Sequence, residues 1–191
     1  MYNYPLNLSF KVIAFNPQVK ITDASGQTVL YVKEKALSLK MDTRVFADEA
    51  QTRQLYQIKA DKMMGINIPF SITTPDGMLI GKVLRQGMKS LWKLNFPIMD
   101  AAGTEVGLIH EENPWIKVLD SLVSDIPFVG MYINPAYLVD WRGQTVLYLK
   151  KQPSMMEGKF TLEKRGSFTD ADERLLIPGV LMMLMLERMR G

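Results

Sequence analysis

A chain of 191 residues with 47% apolar and 23% charged residues is long enough to bury a substantial core, and it suits one domain spanning 1–191. No cysteine is present, which excludes a disulfide framework, a thiolate nucleophile and a cysteine-based metal site. The net charge of +3 is local rather than general: residues 77–99 carry Lys82, Arg85, Lys89 and Lys93 and no acid, whereas residues 100–125 carry six acids against Lys117, so a nucleic-acid-binding surface is not expected.

The chain starts Met1-Tyr-Asn-Tyr-Pro5, without the basic region and apolar run of a secretory leader, and a cytoplasmic location is expected. Short alternating segments follow. Asp23-Ala-Ser-Gly-Gln-Thr-Val-Leu-Tyr-Val-Lys33 returns almost letter for letter as Asp140-Trp-Arg-Gly-Gln-Thr-Val-Leu-Tyr-Leu-Lys150. Looser copies stand at Thr74–Ile80 and Asp100–Val106. Each is a turn between two apolar runs, with Gly supplying a positive φ and Asp bonding its own backbone, which predicts β-hairpins. The glycines are unevenly spaced, at 26, 77, 103 and 143, which argues against a solenoid and for two related halves of one sheet or barrel.

Between turns the period is two: Leu37, Leu39 and Met41 alternate with Ser38, Lys40 and Asp42. Trp92, Leu94, Phe96 and Ile98 share one face, with Lys93 and Asn95 opposite, and Phe160 and Leu162 alternate with Thr161 and Glu163. Two segments break the pattern. From Asn113-Pro114, the stripe Trp115, Ile116, Leu119, Leu122 and Val123 predicts a short surface helix near 114–124, ended by Ile126-Pro127. The second break is the helix expected at about 170–189, opened by Thr169-Asp-Ala-Asp172. Its middle, Leu175 to Leu186, is apolar on every side and must be buried. Those residues span roughly 18 Å, too short for a bilayer. A helix threaded through the middle of a β-structure is therefore expected, with a kink or a late start at Pro178. The fold class that follows is mainly β with a central helix (β+α): one closed antiparallel barrel wrapped around an apolar C-terminal helix.

The repeated hairpins, the run Arg85-Gln-Gly-Met-Lys-Ser-Leu-Trp-Lys-Leu-Asn-Phe-Pro-Ile98, and Phe168-Thr-Asp-Ala-Asp-Glu173 leading into Leu175–Leu186 together resemble the tubby C-terminal-like superfamily. That group includes the phospholipid scramblases and LURP-one-related proteins, and the resemblance is to a bacterial branch and covers essentially the whole chain. It implies a barrel of about twelve strands around the C-terminal helix, a non-enzymatic activity, and in some relatives binding of phosphoinositide head groups by clustered Lys and Arg. Scramblases carry a calcium-associated acidic stretch before the last helix. Here only Asp170, Asp172 and Glu173 remain, too few oxygens for calcium unaided and well placed to stabilise a helix N-terminus.

Lys82, Arg85, Lys89 and Lys93, with Gly81, Gly87 and Ser90 among them, form the candidate ligand-binding segment, since Lys and Arg near one loop can hold a phosphate by charge-assisted hydrogen bonds. The same cations also suit the solvated outer face of a barrel. Ser90-Leu-Trp-Lys93 matches a serine acyl-enzyme string but alternates as a strand, without its partner motifs. His110, the sole histidine, lacks a nucleophile or metal partner in sequence and reads as a capped or surface group. Glu111, Glu112, Asp120 and Asp125 suggest a carboxylate pair, but with Glu112 ahead of the helix and Asp120 and Asp125 on its polar side a solvated helix face suffices. Asp61 and Glu157 suit paired or hydrogen-bonded structural acids. No catalytic residue, metal or cofactor is expected. The expected function is a monomeric binding module for an anionic ligand, such as a phospholipid head group at the cytoplasmic membrane face. The alternative is a protein-interaction or structural module with no small ligand and an unidentified partner.

Overall fold

The computed structural model describes residues 1–11, 18–33, 42–62, 67–86, 95–112, 136–153 and 158–188. Among these, twelve strands follow one another as β1 (Leu6–Lys11), β2 (Gln18–Thr22), β3 (Thr28–Lys33), β4 (Asp42–Phe46), β5 (Gln54–Ala60), β6 (Asn67–Thr73), β7 (Leu79–Gln86), β8 (Asn95–Asp100), β9 (Glu105–Glu111), β10 (Ala136–Trp141), β11 (Gln144–Gln152) and β12 (Gly158–Lys164). Each pairs antiparallel with its neighbours in sequence, and β1 pairs with β12, so the barrel closes and no edge is left. The seam puts Leu6 opposite Leu162 and Phe10 opposite Gly158.

The alternation read from the sequence sorts side chains between the interior and the outer wall. Leu6, Leu8 and Phe10 of β1 are buried while Asn7 and Lys11 are exposed, and on β12 Phe160 and Leu162 point in while Lys159 and Glu163 point out. The interior is filled by α1 (Asp170–Arg188). Every residue from Leu175 to Leu186 is buried, among the inward side chains of the strands. This is the central-helix arrangement expected from the all-round apolar pattern. The helix starts at Asp170, well ahead of Pro178, so the late start is not observed.

Two glycines permit the tight fit. A Cβ on Gly81 would lie 2.5 Å from the Met99 carbonyl oxygen and 2.8 Å from the Leu175 methyls. One on Gly179 would lie 3.1 Å from Val83 Cγ2. The helix start is fixed by a capping box, in which the Asp172 amide donates to Thr169 Oγ1 (3.2 Å) and the Thr169 amide donates to Asp172 Oδ2 (2.9 Å). The expected surface helix near 114–124 lies outside the described residues.

Four hairpins, β2–β3, β4–β5, β6–β7 and β8–β9, share one turn. In each, an amide bonds back to the carbonyl three residues earlier: Gly26 to Asp23, Gln51 to Asp48, Gly77 to Thr74 and Gly103 to Asp100. The donor residue takes a left-handed φ, 83°, 58°, 90° and 84° respectively. The first side chain of each turn accepts the amide four residues on, as Asp23 does from Gln27 and Asp100 from Thr104. A shift of register beside each turn completes a type I turn with a bulge. The β10–β11 connection differs despite its near-identical letters. Trp141 pairs with Gln144, and Arg142 and Gly143 alone form a two-residue turn with φ of 50° and 82°. Ala24 is exposed in the first copy, but Trp141 is buried, and its side chain draws one more residue into the strand.

Candidate functional site

The cations singled out from the sequence do not form a cluster among the described residues. On β7, Gly81 and Val83 face the interior and Lys82 faces out, where its Nζ lies 2.7 Å from Asp61 Oδ2. Asp61 also accepts the Ser71 hydroxyl at 2.6 Å. Burial opposes ionisation of Asp61, but hydrogen bonds from Lys82 and Ser71 and the Lys82 charge outweigh it and hold the carboxyl below its usual range. Lys82 is therefore compensated, and Asp61 is the paired acid expected. Arg85, three positions along the strand, falls on the opposite parity, beside Ile68. Lys89 and Lys93 lie in the connection between β7 and β8, outside the described residues, as do Ser90 and Glu157.

Asp170, Asp172 and Glu173 sit in the first turn of α1. Asp172 serves the capping box, and Glu173, although buried, accepts the Tyr2 amide (3.1 Å) and the Tyr4 hydroxyl (2.9 Å). Among the described residues, no group of three or more His, Asp or Glu side chains is arranged to hold a metal ion. His110 lies near the end of β9, half-buried on the outer wall. Its Nε2 is 2.9 Å from Asp140 Oδ2, and its Nδ1 is 3.1 Å from the Glu111 carbonyl. Asp140 Oδ1 accepts the Thr145 hydroxyl at 2.6 Å. The carboxylate stands between hydroxyl and imidazole, so the pair does not form a base-activated nucleophile.

The opposite wall carries a different arrangement. An open groove of about 420 Å³ crosses β2, β1, β12 and β11, its polar lining being Lys20, Thr22, Asn7, Ser9, Lys159, Thr161 and Gln152. Barrel closure builds it. Ser9 pairs with Lys20 on one side and with Lys159 on the other, while Asn7 pairs with Thr22 and Thr161. Two strand spacings put the lysine backbones roughly 10 Å apart. Gln152 Nε2 donates to Thr161 Oγ1 (3.2 Å), and Thr161 Oγ1 donates to Asn7 Oδ1 (3.4 Å). Hydroxyl and amide side chains thus lie between the two lysine positions, with Leu8 and Phe160 completing the lining.

No family model, curated protein or solved structure matches the chain.

The electrostatics of this wall distinguish it from the Lys82 side. The outward positions of β11, β12, β1, β2 and β3 include Lys150, Lys159, Lys11, Lys20 and Lys33, against one acid, Glu163, which pairs with Arg165 at 3.5 Å. Among the described residues Lys11, Lys33, Lys150 and Lys159 take part in no ion pair, while Lys20 pairs with Glu49. Sequence reasoning missed this group because its members span residues 9–159 and are never neighbours along the chain. A signal existed: both copies of the repeated phrase end on an outward lysine, Lys33 and Lys150, and in the barrel only β12 and β1 separate the two hairpins that carry them.

Proposed function

We propose that this chain is a non-enzymatic binding module of the tubby-like type. Its ligand is anionic, a phospholipid head group at the cytoplasmic membrane surface, and it binds in the groove across the β1–β12 seam. The observation that carries this reading is Ser9 flanked by Lys20 and Lys159 on a wall whose lysines Lys11, Lys33 and Lys150 take part in no ion pair among the described residues. Two lysines with hydroxyl and amide side chains between them can offer charge-assisted hydrogen bonds to phosphate oxygens and neutral ones to the rest of a head group. The groove volume is within the range of small-ligand sites. No helix among the described residues is long and apolar enough to cross a membrane. On β1, β2 and β12 the outward side chains are polar and the inward ones apolar, the reverse of a membrane-spanning barrel, and this favours contact through the head-group layer.

Co-sedimentation with neutral and anionic liposomes at low and physiological salt tests the proposal. The comparison is between the parent chain, a Lys20→Ala/Lys159→Ala variant, and a variant with Lys82, Arg85, Lys89 and Lys93 all changed to Ala. Each lysine near an anionic surface is worth about 1 kcal/mol, so the double variant is expected to bind roughly 30-fold more weakly, with a shallower salt dependence. Loss confined to the quadruple variant would move the site to the β7–β8 segment. Absence of salt-sensitive binding by the parent would leave a protein-interaction module as the better reading.

A further inference from the structure

Among the described residues Lys20 is the one groove lysine held by an acid, and the acid comes from elsewhere in the barrel wall. Glu49 stands in the β4–β5 turn and reaches past β3 to place its Oε1 2.5 Å from Lys20 Nζ. Both side chains are substantially exposed, Glu49 by 54% and Lys20 by 39%. Tyr31 lies beneath them: it pairs with Lys20 across β2–β3 and with Phe46 across β3–β4, and it is only 6% exposed. The turn that carries Glu49 is fixed from within. Asp48 Oδ1 accepts the Thr52 amide (3.2 Å), Asp48 Oδ2 accepts the Thr52 hydroxyl (2.7 Å), and Gln51 takes a left-handed φ. Across Ser9, Lys159 has no such partner among the described residues.

We infer that Glu49 is a built-in competitor for the groove, its carboxylate occupying on Lys20 the place an incoming phosphate oxygen would take. This rests on the anion-binding reading of the groove and adds a regulatory element to it. A carboxylate offers Lys20 one charge from a solvent-exposed position, and such pairs are weak. A phosphate monoester carries up to two charges and can engage Lys20 and Lys159 together. Binding is then an exchange in which Glu49 swings into water as the phosphate enters. The exchange favours ligands with enough charge to reach both lysines and disfavours carboxylates and other singly charged anions.

The test measures binding of two probes, inorganic phosphate by calorimetry and phosphatidic acid in phosphatidylcholine vesicles by co-sedimentation, to the full chain at low salt. Glu49→Gln is expected to tighten both about two- to five-fold, the range an exposed ion pair spans. Glu105→Gln, an exposed acid at the start of β9, makes the same change in net charge and is expected to leave both unaltered. Adding Lys20→Ala to Glu49→Gln should abolish the gain. Equal tightening by Glu105→Gln and Glu49→Gln would overturn the competitor and leave a general charge effect. Unchanged affinity in Glu49→Gln, with binding lost in Lys159→Ala, would overturn the competitor and leave the groove standing. Parent-like binding by Lys159→Ala and Lys20→Ala would remove the groove and the competitor together. Tightening toward phosphate alone assigns the site to soluble phosphate compounds, and tightening toward vesicles alone assigns it to lipid.

Discussion

Asp23, Asp48, Asp61 and Asp76 are all held below the ordinary carboxylate range. For Asp23 the main cause is the Ser25 hydroxyl, for Asp48 the Thr52 hydroxyl and for Asp76 the Thr74 side chain. Asp61 differs, since burial pushes it up and Lys82 and Ser71 more than compensate. In every case the folded form binds a proton less readily than the unfolded chain, whose aspartates keep a value near 3.8. Their contribution to stability is therefore complete above that value and is lost as pH falls through the depressed folded values. Thermal unfolding followed from about pH 5 downward should show the midpoint falling below about pH 4. An Asp23→Asn/Asp61→Asn variant should show a shallower fall, and an identical acid limb would refute the assignment. Glycines separate two kinds of constraint at the same scale. Gly103→Ala meets open space and pays only for its left-handed φ, about 1–2 kcal/mol. Gly81→Ala drives a Cβ into the Met99 carbonyl and should cost at or above the top of the ~1–3 kcal/mol overpacking range. Denaturant midpoints of the two variants check the order. The turns also mark where single letters mislead. The β4–β5 turn has the shared geometry with Gln51 where the others have Gly, so a search for Asp and Gly passes over it, while Asp140–Gly143 has the right letters and a different turn.

The helix was the most legible element, because a segment apolar on every side has only one kind of environment open to it. Its start was legible too, since Thr169 and Asp172 have the spacing a capping box needs. Leu181 is fully buried at the middle of α1. Leu181→Ala should cost about 2–5 kcal/mol in a denaturant titration. Leu181→Asp should prevent folding, since it buries a charge where no partner can reach it. A soluble Leu181→Asp variant with a cooperative melt would contradict the central position of the helix. Strand periodicity placed Phe96 and Ile98 of β8 and Phe160 and Leu162 of β12 inward, because one face of each strand meets a dry core. Leu37, Leu39, Met41, Trp92 and Leu94 lie outside the described residues. His110 has the surface place its isolation in the sequence suggests, but its Asp140 partner, diagonally across β9–β10, is not legible there. Diagonal partners depend on register, and register is set by bulges that the letters do not display.

At the scale of the molecule, closure creates what no segment contains. Lys20, Ser9 and Lys159 are consecutive across the wall only because β1 pairs with both β2 and β12. The basic segment at 82–93 drew attention because its charges are adjacent in sequence. Of its four cations, Lys82 faces out with Asp61 beside it, Arg85 has the opposite parity on β7, and Lys89 and Lys93 lie outside the described residues. The seam also sets an order in time. Among the described strands β1 comes first in chain order and β12 comes twelfth, so Leu6 cannot meet Leu162 until every strand between them has been synthesised. The groove does not exist in any nascent chain lacking its final strand. A chain interrupted before Gly158 lacks Lys159, the strand that closes the barrel and the helix that fills its interior. The outer wall at the seam is thus completed after the hairpins that flank it, and only a chain that has closed its barrel presents Ser9 between Lys20 and Lys159.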